Sequence, residues 1–131
     1  MENKYYTPSI EEFCIGFEYE TIYLQDYDNW VKETLSQEDA SYFFDSYIAD
    51  ASPLEFRVKY LDKEDVESLG FRNYMNSVNN AYKLNNIVIR IKGDYILIFR
   101  YDEYTIDELV FKGIIKNKSE LKILLKQLNI I

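Results

Sequence analysis

Residues 86–102 read NIVIRIKGDYILIFRYD, two alternating runs with a turn signal between them. Two apolar, β-branched-rich stretches flank Gly93-Asp94, the two-residue spacing of a tight hairpin. Side chains alternate across a strand, so Arg90 and Lys92 share one side of the first arm, while Arg100 faces with Ile96 and Ile98 in the second. The run therefore predicts an antiparallel pair at the centre of a sheet.

Working towards the C-terminus, TIDELVFKGIIKN (105–117) supplies a further strand and NKSELKILLKQLNII (117–131) an amphipathic helix. Asn117 and Glu120 form its N-cap and N3 pair, and Leu121, Leu124, Leu125 and Leu128 make its buried stripe. Working towards the N-terminus, FRNYMNSVNNAYKLNN (71–86) is ambiguous, because Met75, Val78 and Tyr82 hint at helix while clustered Asn favours turns. DKEDVESLG (62–70) predicts a helix capped by Asp62 and ended by Gly70. LEFRVKYL (54–61) alternates, placing Phe56, Val58 and Tyr60 opposite Arg57 and Lys59, and predicts a strand.

Within the first fifty residues, Thr7-Pro8 suits a capped helical turn. A strand is expected from Phe13 to Leu24, with Phe13, Ile15, Phe17 and Tyr19 on one side and Cys14, Gly16, Glu18 and Glu20 on the other. DNWVKETL (28–35) predicts a helix from an Asp28 cap, and SQEDASYFFDSYI (36–48) a second from Ser36. The sum is an α+β fold in one domain, residues 1–131, with about five mostly antiparallel strands and helices packed on one face.

Composition removes whole classes of chemistry. The chain has no His and a single Cys, so neither a Ser or Cys triad nor a zinc ligand set can be assembled. Its four glycines are scattered, which rules out a P-loop or dinucleotide fingerprint. No catalytic residue and no cofactor is expected. The N-terminal run lacks an apolar core and no later run approaches the length of a membrane span, so a cytoplasmic protein without membrane contact is expected.

Charge is unevenly spread. Residues 1–50 hold 12 acids against Lys4 and Lys32, a net of −10; residues 51–131 hold 11 acids and 13 bases, a net of +2. An acidic chain is poorly suited to binding nucleic acid non-specifically, and no direct nucleic-acid contact is expected. Strand alternation nevertheless gathers Arg57, Lys59, Arg90, Lys92 and Arg100, with Lys112 and Lys116, towards one sheet face. Two readings of that face stay open. Glu18 and Glu20 are cross-strand partners of these bases on a solvated surface. Alternatively the bases, with Tyr60 or Tyr101 stacking on a nucleobase, hold a small anionic ligand such as a nucleotide signal.

Two resemblances and the placement of tyrosine bear on function. GFEYE (16–20) resembles the Gly-x-Glu-x-Glu strand of the glutamate-cysteine ligase and amidoligase group, which implies magnesium at Glu18 and Glu20 and ATP-dependent amide formation. YYTPSIEEFCIGFEYE, RVKYLDKEDVESLGF and IKNKSELKILLKQLNI resemble segments of small uncharacterised proteins of Bacteroidota phages and prophages, which implies a phage accessory protein in the bacterial host cytoplasm. Tyrosines crowd the acidic half as in recognition surfaces. The expected function is thus non-enzymatic binding of a host protein, in counter-defence, with ligand sequestration and amidoligase chemistry as alternatives. An open edge at the strand after Pro53 or at LVFKGIIK predicts a homodimer, the alternative being that Lys112 and Lys116 protect the edge and keep the protein monomeric.

Overall fold

The computed structural model describes residues 4–23, 26–38, 55–74, 80–101 and 108–131. They fall into two compact units, Met1–Tyr60 and Leu61–Ile131, each with its own apolar cluster. The α+β class stands: both sheets are antiparallel, one of four strands and one of five.

In the first unit, β1 (Tyr5–Tyr6), β2 (Glu18–Tyr23), β3 (Asp26–Thr34) and β4 (Phe56–Lys59) lie in the order β1-β4-β2-β3. The strand expected from Phe13 begins only at Glu18. Before it, Ile10–Glu12 is a 3-10 turn whose N-cap Ser9 donates its backbone N–H to the Glu12 carboxylate at 2.8 Å. Phe17 N then donates to Cys14 O, closing a second turn in which Gly16 adopts φ 90°. That left-handed geometry favours glycine. The turns still bury Phe13 and Phe17 with Leu35 and Val58, but they carry Ile15 out to 57 % exposure, which alternation alone placed inside.

The helix expected over 28–35 is also replaced by strand. Trp30 and Val31 stand opposite Ile22 and Thr21 of β2, and pairing of such β-favouring residues overrides the Asp28 cap signal. The second expected helix falls largely on residues 39–48, outside the described residues. β4 lies between β1 and β2, so of the two strands expected to offer an open edge the one after Pro53 does not, whereas the LVFKGIIK run does, as the last strand of the five-stranded sheet.

The second unit follows the sequence closely. Helix α1 (Lys63–Ser68) is capped by Asp62, whose carboxylate accepts from Asp65 N at 2.9 Å, and Gly70 at φ 102° ends it. Strands β5 (Arg72–Asn73), β6 (Ala81–Leu84), β7 (Ile87–Lys92), β8 (Tyr95–Arg100) and β9 (Glu108–Ile114) then pair in chain order. The central hairpin turns at Gly93, φ 59°, with Lys92 opposite Tyr95. Helix α2 (Lys118–Gln127) starts at Asn117, which accepts from Glu120 N, while the Glu120 carboxylate accepts from Lys116 N. Val66 of α1 and Leu121 and Leu125 of α2 cluster with Tyr82, Ile89, Ile96 and Ile98 on one side of the sheet.

Tyr82 sits in that core, and burial first, then the nearby Glu67 and Asp62 carboxylates, raise its phenol above the usual 10.0. The unfolded chain loses this proton near pH 10 while the native state keeps it, so stability is intact below that pH and falls as pH climbs through the higher native value. Denaturant midpoints measured across the alkaline range are expected to decline more steeply for the wild type than for Tyr82→Phe.

Candidate functional site

Register sorts the five-stranded sheet into two faces. Tyr82, Ile89, Ile98 and Phe111 align across β6 to β9 on the helix side. On the other side the aligned set is Arg72, Lys83, Val88, Phe99 and Leu109, followed by Ala81, Arg90, Leu97 and Lys112, then Lys92, Tyr95 and Ile114. This second face has five cations, Arg72, Lys83, Arg90, Lys92 and Lys112, and among the described residues no acidic side chain occupies any of its strand positions. None of the five makes an ion pair with a described residue.

Aromatic rings lie among these cations. Tyr95, Leu97 and Phe99 are two residues apart on β8, and Tyr101 extends the row where its N–H donates to Asn86 O at 2.6 Å. Lys83 Nζ is 5.3 Å from the Tyr74 ring centroid and 5.6 Å from that of Tyr101, and Arg90 Cζ is 5.7 Å from the Phe99 centroid. Tyr95 and Tyr101 are 49 % and 41 % exposed. Cations held beside accessible ring faces can bind phosphate oxygens while the rings stack on a planar group.

Three of the seven ligand candidates named from sequence, Arg90, Lys92 and Tyr101, belong to this face. Arg57, Lys59 and Tyr60 belong to the first unit, because the bases divide between two sheets instead of converging on one. There Arg57 is already engaged: its Nη2 donates to Glu20 Oε1 at 3.2 Å, and its Cζ lies 3.8 Å from the Tyr5 ring centroid and 4.2 Å from that of Trp30. Tyr60 packs against Tyr6 with centroids 4.8 Å apart. Arg100 stands opposite Ile87 on the helix side and lines a cavity of about 300 Å³ with Asn85, Asn86 and Asn129.

Glu20 is thus the partner of Arg57, and its neighbour in register on β3 is Lys32; Glu18 is exposed opposite Thr34. Among the described residues no three Cys, Asp or Glu side chains gather in one place. Nor is any described helix long and apolar enough to cross a membrane.

No protein-family model, curated protein or solved structure matches this chain. Lys83, Arg72, Tyr74, Tyr95 and Phe99 were not among the candidates read from sequence. β8 is apolar at both parities, so alternation could not tell which of its rings would face away from the helices.

Proposed function

We propose that this chain is a non-catalytic binding module, and that the cationic, ring-bearing face of β6 to β9 holds a phosphorylated ligand with a planar base. The observation that carries this reading is the grouping of five cations around Tyr95, Phe99 and Tyr101, with no acid at the strand positions of this face among the described residues. Like charges gathered on a solvated face repel, and an anion that shares them removes the repulsion. Sequestration of a nucleotide signal fits the same chemistry. The resemblance to small phage and prophage proteins supports an accessory role in infection, in the host cytoplasm.

Thermal melting of the full chain against a panel of mononucleotides, cyclic nucleotides and short oligonucleotides tests this. A true ligand at about 100 times its Kd adds about 2.7 kcal/mol to stability. The shift is expected to vanish in Arg90→Glu/Lys92→Glu, both exposed positions whose replacement leaves the core intact. An unchanged melting temperature with every compound overturns the proposal.

A second reading, a host protein captured by the first unit, is favoured by that unit's charge: residues 1–60 hold 13 acids and 4 bases, a net of −9. Such a field steers a basic partner with a rate that falls as salt rises. Cross-links from a host lysate confined to residues 61–131 overturn it.

A further inference from the structure

We infer that the ligand of this face is a single strand of nucleic acid lying along β8, an inference that rests on the binding face proposed above and names its polymer. A mononucleotide needs one ring and one or two cations, whereas here the apparatus recurs along the strand. Tyr95, Leu97, Phe99 and Tyr101 occupy successive same-face positions, about 7 Å apart and spanning about 20 Å.

Cations run along both sides of that row. On β7, Lys92 stands opposite Tyr95 and Arg90 opposite Leu97; on β9, Lys112 stands opposite Leu97 from the other side. Lys83 reaches the Tyr101 end, 5.6 Å from its ring. A strand laid along β8 would place its bases on the rings and its phosphates over the flanking Lys and Arg side chains. Stacking of this kind tolerates any base, because every base has a π-face. A duplex does not fit the same chemistry, since its bases are already stacked on one another and shielded from side-chain rings.

The whole-chain charge of −8 argues the other way only as an average. At physiological ionic strength the screening length is about 8 Å, shorter than the row of rings, so the local set of cations governs contact. The second unit by itself has 10 acids and 11 bases, a net of +1, with five of those bases on this face.

Fluorescence anisotropy of the full chain decides it, with labelled oligothymidylates of increasing length, the matching oligouridylates, a duplex of the same length, and thymidine monophosphate as competitor. Affinity is expected to rise with length to about four nucleotides and then level, with a log–log salt slope near −3 for about four phosphates neutralised. Tyr101→Ala, at an exposed position, is expected to weaken binding about tenfold or more. Lys112→Ala is expected to flatten the salt slope by about 0.7. Preference for either sugar supports the inference and names the strand as DNA or RNA. Equal affinity for the monophosphate and the longer oligomers, or for duplex and single strand, overturns the single-strand inference while the binding face stands. Absence of binding to every nucleotide at low salt overturns both.

Discussion

Leu121→Ala is expected to lower the unfolding free energy of the second unit by about 3 kcal/mol, within the range found when a fully buried leucine is truncated. Leu121 has no exposed surface and clusters with Leu125, Val66, Ile96 and Ile98, where helices α1 and α2 meet the sheet. Its removal loses transfer free energy and leaves a void that the β-branched isoleucines, stiff at χ1, collapse into poorly. At about 0.05–0.15 kcal/mol per residue, a unit of this size has only several kcal/mol in total, so the loss is a large share of it. Backbone hydrogen exchange read over β7, β8 and α2 is the measurement. Leu124→Ala, three positions on and only half-buried, is the control and should cost markedly less. Equal effects for the two would show that Leu121 is seated no more deeply in the core than Leu124.

The elements of the second unit were legible because local and long-range signals agree there. Asp62 and Asn117 cap helices in the structure as their positions in sequence indicate, Gly70 and Gly93 take the positive φ their turns need, and the two arms of the hairpin pair as alternation requires. In the first unit the signals conflict. Period two at Phe13, Ile15 and Phe17 arises there from two consecutive turns that bury Phe13 and Phe17 and expel Ile15, a pattern that a strand would also produce in sequence. Asp28 ahead of Trp30 looks like a cap, yet pairing of Trp30 and Val31 with β2 decides the outcome.

The cationic face was half legible for a related reason. Arg90 and Lys92 stand out as the only polar positions in an apolar arm, and their parity alone assigns them to the side away from Ile89. Arg100 has the parity of Ile96 and Ile98, and the structure indeed puts it on the helix side, apart from the other bases. Whether Arg57 and Lys59 join Arg90 depends on which sheet receives the strand after Pro53, and that is a property of long-range pairing which no local pattern encodes. Lys83 and Arg72 lie on short strands in an Asn-rich stretch, where turn propensity masks the alternation.

Arg57→Ala is expected to destabilise the first unit by about 2–3 kcal/mol, less than a fully buried pair would lose because both side chains keep some solvent contact, 27 % for Arg57 and 15 % for Glu20. From β4 the guanidinium reaches Tyr5 on β1, Glu20 on β2 and Trp30 on β3, so one side chain ties all four strands. Its Nε is buried with no hydrogen-bond partner among the described residues, which makes the ring contacts and the single ion pair its main compensation. Truncation removes both ring contacts and leaves the Glu20 carboxylate without its guanidinium partner. Arg57→Met keeps much of the stem packing but strands the same carboxylate, and Glu20→Gln added to it should recover part of the loss. Trp30 is the sole tryptophan of the chain and touches the guanidinium, so its fluorescence in denaturant titrations follows this unit directly. A midpoint unchanged in Arg57→Ala would mean that the packing of Phe13, Phe17, Leu35 and Val58 on the other side of the sheet holds the four strands without this cation.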